Sequence, residues 1–227
     1  MNSHRRKFGY ALLSLPLALS MKPAHAIEEP QFNLVESDGR IEVRDYAPYI
    51  VAEVLVVGDM ATASNRGFRA IAGYIFGGNR SVRGGDNPEK IAMTAPVGIT
   101  PASEKIAMTA PVGITPEAKG AEAFSATDGR WRVHFVMPRQ YTMANLPKPN
   151  DPSVRLREVP SERWVVLRYS GFNGEDKLRE NTDELLAWIA RRGFKARGET
   201  QLARYDPPWT LPFMRRNELM VPVEKTP

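Results

Sequence analysis

Few residues in this chain of 227 could serve as nucleophile, metal ligand or acid–base pair, and the shortage narrows the chemistry. There is no cysteine, and two of the three histidines, His4 and His25, lie in an N-terminal leader. A Cys–His pair is therefore impossible, and a Ser-His-acid triad would have to use His134. The sequence has no HExxH, G-x-S-x-G or P-loop pattern. Gly77-Gly78 and Gly84-Gly85 make a flexible connection, but no Lys-Ser/Thr follows to hold a phosphate. The carboxylates are scattered, without a spacing that assigns one as acid and another as base. What remains could meet a metal or a flat ligand: the His134 imidazole, the soft thioethers of Met93 and Met108, and the phenols of Tyr74 and Tyr205. Each also has a plainer reading. A strand histidine is more commonly solvated or hydrogen-bonded, methionines are general gap-fillers, and Tyr205 can pack on Pro207 or Pro208 and fix a loop. No catalytic residue is expected, and a binding role fits better than an enzyme.

The two methionines belong to a duplicated segment. Glu89–Pro101 reads EKIAMTAPVGITP, and Glu104–Pro116 repeats it letter for letter. Ile91, Met93, Ala95 and Val97 alternate with Ala92, Thr94 and Pro96, as Ile106, Met108, Ala110 and Val112 do in the second copy. Period-two alternation predicts two half-buried strands, joined as a long-looped hairpin. Around them, Ser37-Asp38-Gly39 predicts a turn between strands at 32–36 and 40–44. Further strands are expected at Tyr49–Val57, Trp131–Met137, Val154–Glu158, Trp164–Tyr169, Thr200–Tyr205 and Asn217–Val223. Phe68, Ile71, Ala72 and Ile75 fall at i, i+3, i+4 and i+7, predicting an amphipathic helix from about Met60 to Phe76 that ends at Gly77-Gly78-Asn79. A second helix is expected from about Gly174 to Arg192, with Asn173 as N-cap and Gly193 as its stop. The polar stretch from Val112 to Arg130 reads as a surface loop. Strands outnumber helices and the order repeats in two halves, which predicts one α+β domain with a largely antiparallel sheet and two outer helices.

The N-terminus has the form of a secretory signal. Arg5, Arg6 and Lys7 precede an apolar run from Phe8 to Met21, and Ala24-His25-Ala26 offers a cleavage site. The expected organisation is a signal peptide at 1–26 and a single domain at 27–227, exported to the periplasm. No second long apolar run follows, so no stable membrane insertion is expected after cleavage. Removing the leader's four basic residues leaves 27 Lys and Arg against 26 Asp and Glu, so the net charge drops from +5 to +1. A nucleic-acid partner thereby loses its compositional support. Nothing in the sequence specifies an oligomeric state.

Several longer motifs together resemble the SOUL haem-binding protein family. They are IEVRDYAPYIVAEV (Ile41–Val54), GFRAIAGYIFGGN (Gly67–Asn79), KIAMTAPV, WRVHFVMP (Trp131–Pro138), RYSG (Arg168–Gly171) and YDPPWTLPFMRRNE (Tyr205–Glu218). The resemblance implies a distorted antiparallel β-barrel of two pseudo-repeats flanked by two α-helices. That fold in turn is similar to effector-binding domains of bacterial multidrug-response regulators, which hold flat apolar cations. It also implies non-covalent binding of haem, or a related tetrapyrrole, in an apolar cleft between the first helix and the loop before the last strand. Carried over, the cleft is lined by Arg69, Ala70, Gly73 and Tyr74 from the helix, faced by Trp209, Leu211 and Phe213 from the loop. Arg69 becomes the candidate for a propionate. Met93 and Met108 join the lining if the duplicated hairpin reaches over the cleft, and His134 is the one imidazole that could ligate iron. The role implied is carriage, buffering or protection of the ligand. The alternatives are a binding module for another flat amphipathic molecule, or an enzyme acting on one.

Overall fold

Two very short connections set the shape of the sheet. The computed structural model describes residues 28–82, 87–101, 124, 129–207 and 209–224. Their order is β1 (Phe32–Asp38), β2 (Ile41–Tyr46), β3 (Tyr49–Gly58), α1 (Met60–Ile75), β4 (Asn79–Arg80), β5 (Val97–Pro101) and β6 (Gly129–Val136). Then follow β7 (Lys148–Pro149), β8 (Arg155–Val159), β9 (Glu162–Tyr169), α2 (Glu175–Arg191), β10 (Gln201–Arg204) and β11 (Asn217–Val223). Nine strands form one antiparallel sheet in the order β1-β2-β9-β11-β10-β5-β6-β3-β8, while β4 and β7 pair separately. β2 and β3 lie six strand positions apart, about 29 Å in a flat sheet. Yet only Ala47 and Pro48 join them, a reach of about 11 Å at most. Pro160 and Ser161 join β8 to β9 under the same constraint. The sheet must therefore curl until its ends meet. Among the described residues it remains unclosed, because β1 and β8 each have a strand on one side only.

The two halves are legible in this order. Each runs strand, helix, hairpin: β3-α1-β5-β6 and β9-α2-β10-β11. A pseudo-twofold between β5 and β10 relates them, and each half lends its preceding strand to the other, β2 to β9 and β8 to β3. The convex face carries both helices. Under α1 pack Ala52, Val54, Val133 and Phe135 with Ile71, Tyr74 and Ile75. Under α2 pack Val165, Leu167, Leu219 and Val221 with Leu178, Leu185 and Ile189. The concave face closes on itself around Tyr46, Trp164, Val166, Ala203 and Met220, with a smaller cluster of Val51, Val136 and Val159. Tyr49 touches both clusters, where the two ends of the sheet come together.

α1 begins where Asp59 caps it, accepting a 2.9 Å bond from the Thr62 amide. It stops at Gly77, whose φ of +118° suits glycine. Gly67 is the close-approach position. A Cβ there would lie 2.5 Å from the Val133 Cβ, so α1 sits on β6 at a separation that only glycine allows.

The structure corrects two sequence expectations here. α2 is capped by Gly174, without a side-chain bond, and not by Asn173. Asn173 instead accepts from the Tyr169 hydroxyl and donates to Asn217, tying the end of β9 to the start of β11. Of the first repeat copy only Val97–Pro101 is a strand. Before it, the Ile91 amide bonds the Ile75 carbonyl, the Ala95 amide bonds the Glu28 carbonyl, and Pro96 has no amide to give. The chain there is held by three separate anchors, with Thr94 bonded to the Val136 carbonyl, and not by a ladder. The signal segment 1–26, Gly84-Gly85, nearly all of Val112–Arg130, and the second repeat copy with Met108 lie outside the described residues.

Candidate functional site

β10 ends at Arg204, and the loop from Tyr205 to Arg216 returns the chain to β11. This loop is pinned along its length. Asp206 accepts a 2.6 Å bond from the Arg216 amide, and the Tyr205 amide bonds the Arg216 carbonyl. Thr210 is held to Pro207, and Pro212–Met214 makes a single 3₁₀ turn whose first carbonyl accepts from Gly171. Arg215 bonds the Thr210 carbonyl and lies over the Phe172 ring. The backbone is thus fixed while its apolar side chains face outward: Trp209 is 83% exposed, Phe213 72%, and Leu211 55%, beside Met214 and Phe172. Isolated exposed apolar residues are ordinary, but five on two mutually bonded loops make a surface fit for an apolar partner. Their fixed backbone reduces the ordering cost of binding.

The edge of the helix that meets β10 is not the one expected to line the cleft. Ser64 accepts from the Arg204 guanidinium at 3.4 Å, and Phe68, one turn on, tilts against Phe135 with ring centroids 5.3 Å apart. Around the helix, Arg69 and Gly73 fall about 140° and 180° from Ser64, on the solvent side. Arg69 is exposed, and a Cβ at Gly73 would meet nothing within 4 Å. Ala70 is half-buried against the α1 core. Tyr74 is fully buried with its hydroxyl donated to the Pro147 carbonyl at 2.8 Å, and burial raises its pKa. The expected lining therefore splits. Trp209, Leu211 and Phe213 are each exposed on one loop, Arg69 and Gly73 share an open helix face, and Tyr74 belongs to the core. Met93 lies in the connection before β5 with its side chain exposed.

Arg204 is the residue that sequence reasoning passed over. It pairs with Val97 across β10–β5 and with Asn217 across β10–β11. Burial lowers its pKa, the nearby Arg215 lowers it further, and Tyr169 opposes both. Ser64 is its hydrogen-bond partner, and among the described residues no carboxylate makes an ion pair with it. Nothing in the local sequence marks it, because its isolation from acids is a property of the packed neighbourhood.

His134 faces the other way. Its neighbours Val133 and Phe135 meet α1, so the imidazole points to the concave face. There it lies against Gly98, where a Cβ would come within 2.1 Å of its Cε1, and its Nδ1 has no hydrogen-bond partner. Burial first, then Arg157 and Arg132, push its pKa down to about 3. The α1 surface and the imidazole are thus separated by the sheet itself. Glu218, the pseudo-twofold counterpart of His134, is paired: the fully buried Arg44 reaches its carboxylate at 2.9 and 3.0 Å, joined by the Tyr205 hydroxyl and Arg216. Tyr205 fixes the loop through Glu218 and the Arg216 guanidinium, 3.8 Å from its ring centroid.

One hollow lies at an open end of the curled sheet. It holds about 620 Å³ and is lined by Tyr49, Ile50, Val136, Met137 and Val159, with Glu28, Glu158 and Arg139 at its rim.

With this geometry in place, the family comparison decides the identification. The SOUL heme-binding protein family matches residues 27–222. This chain is a SOUL family protein. No curated protein matches it. Among solved structures, the C-terminal domain of EcmrR superposes with a TM-score of 0.56 at 14% identity, covering 82% of this chain and 98% of that one. A hydrolase from Listeria innocua superposes with a TM-score of 0.52 at 12% identity, covering 84% and 94%. At such identities the likeness is one of fold alone. The SOUL chain offers exposed aromatics on a fixed loop and, among the described residues, a half-buried guanidinium without a carboxylate partner, while the open Gly73 lies on the opposite side of α1. Among the described residues no helix is long and apolar enough to cross a membrane.

Proposed function

We propose that this SOUL protein binds haem or a related tetrapyrrole on the surface formed by α1 and the β10–β11 loop, and that it carries, buffers or protects the ligand without transforming it. The observation that supports this most directly is the pinned loop, following directly on Arg204 in the chain, that presents Trp209, Leu211 and Phe213 to solvent. Bound haem would supply the iron and the macrocycle; the chain supplies an apolar face, and the iron's coordination owes nothing to His134, which is held behind the sheet. The leader motif supports export to the periplasm, with the domain beginning at Ile27. N-terminal sequencing of the secreted form checks that start.

The test is a hemin titration of the purified protein followed at the Soret band, repeated with Trp209→Ala/Phe213→Ala. Both side chains are mostly exposed, so the double variant should keep its thermal midpoint while hemin affinity falls at least about tenfold, a loss of about 1.4 kcal/mol. Equal affinity in the two proteins would remove this surface from the reading.

The hollow beside Tyr49 supports a second reading, a site for another small amphipathic molecule, because its volume lies in the range of ligand pockets. Val159→Trp would fill it. If hemin binding is lost in that variant and kept in the loop variant, the ligand sits at the end of the sheet.

A further inference from the structure

The α1–loop surface contains one cation whose setting is unlike that of the other interior arginines. Arg44 and Arg216 each meet Glu218, and Arg163 meets Asp45 through two bonds of 2.8 Å. Arg204 is half-buried at the end of β10, and among the described residues its hydrogen-bond partner is the Ser64 hydroxyl and no carboxylate pairs with it. A guanidinium drawn out of water without a counter-ion is costly, and it gains most from an incoming anion that can accept two of its donors. Its surroundings say what else that anion must carry. Tyr169 and Asn217 lie on one side of it in the sheet, Val97 and Phe135 on the other, with Phe68 above. Trp209, Leu211 and Phe213 follow along the loop. An inorganic anion would leave these apolar groups unused.

We infer that Arg204 is the carboxylate anchor of this surface, so that its ligand is a flat apolar molecule bearing at least one free carboxylate. The inference rests on the proposed binding surface and sharpens it. Arg204, and not the freely solvated Arg69, discriminates an acid from its ester. Ser64 acts as a positioning residue: it receives the guanidinium in the empty state and keeps it at the foot of α1.

The experiment compares hemin with hemin dimethyl ester, whose carboxylates are blocked, against wild type, Arg204→Gln, Arg204→Lys and Arg69→Gln. Charge-assisted hydrogen bonds contribute enough that Arg204→Gln should weaken hemin roughly ten- to a hundredfold. The same variant should bind the dimethyl ester as wild type does. Arg204→Lys should recover part of the preference for the acid, and Arg69→Gln should leave both ligands within about twofold. A purely structural arginine would lower both affinities together, so the acid-to-ester ratio is the deciding readout. Wild-type hemin binding that Arg204→Gln leaves unchanged, or that falls equally for acid and ester, overturns the anchor and leaves the surface standing. Absence of saturable binding of either ligand to wild type overturns the anchor together with the surface.

Discussion

Replacing His134 by glutamine should remove a pH dependence of stability that begins well above the range of the carboxylates. The imidazole lies on the concave face against Gly98, with Nδ1 unpartnered and Arg132 and Arg157 close enough to oppose a second positive charge. The one acid across the strand pair, Glu53, is already engaged by Arg157 at 2.8 Å and Arg132 at 3.6 Å. Burial first, and then the charges of Arg157 and Arg132, push the folded pKa down to about 3, from an ordinary 6.5. The sign follows from proton counting. Between those two values the unfolded chain binds a proton that the folded chain refuses, so stability falls as pH falls through this window. From about pH 7 to about pH 5 the loss is roughly 2 kcal/mol. Urea unfolding followed by tryptophan fluorescence at these two pH values measures it. Wild type should lose about 2 kcal/mol more than His134→Gln over the interval, since carboxylates titrate mainly below it. Parallel pH profiles for the two proteins would refute the buried, neutral histidine and with it the packing of the ring on Gly98.

Other consequences are equally direct. Gly67→Ala would raise intrinsic helix propensity by up to about 1 kcal/mol, yet its Cβ would meet Val133 at 2.5 Å. The net result should be a destabilisation of about 1–2 kcal/mol by denaturant unfolding, relieved by a second change, Val133→Ala. Glu218→Ala leaves the fully buried Arg44 with Glu42 as its remaining carboxylate partner and should cost up to about 3–5 kcal/mol in the same assay. Burial alone would raise the Glu218 pKa, but bonds from Arg44 and Tyr205 and the charges of Arg44 and Arg216 outweigh it and leave the pKa lowered. Its stabilisation is thus present above about pH 4.5 and lost as pH falls further, so acid unfolding of wild type should steepen there while the variant's does not.

Much of this protein was legible in the sequence because its signals are local. Period-two runs marked β3, β6, β9 and β11, the apolar stripe marked α1, and glycine marked its end. The repeated order of elements disclosed two halves, and the motifs from Ile41 to Glu218 disclosed the SOUL family. What the sequence could not disclose depends on which strands become neighbours. The exchange of β2 and β8 between the halves is set by curling, and curling puts His134 on one side of the sheet and α1 on the other. Alternation showed that His134 opposes Val133 and Phe135, but not which of the two faces the helices would cover. The repeat copy Glu89–Pro101 carries strand periodicity throughout, yet Ile91 and Ala95 find carbonyls outside any ladder, Met93 in phase with them is exposed and Thr94 out of phase is buried, so before Val97 the alternation marks neither pairing nor a buried face. Arg69 and Arg204 look alike as letters. Only the packed structure leaves one in water and draws the other beneath α1, away from acids, because the environment of a charge is the sum of residues distant along the chain.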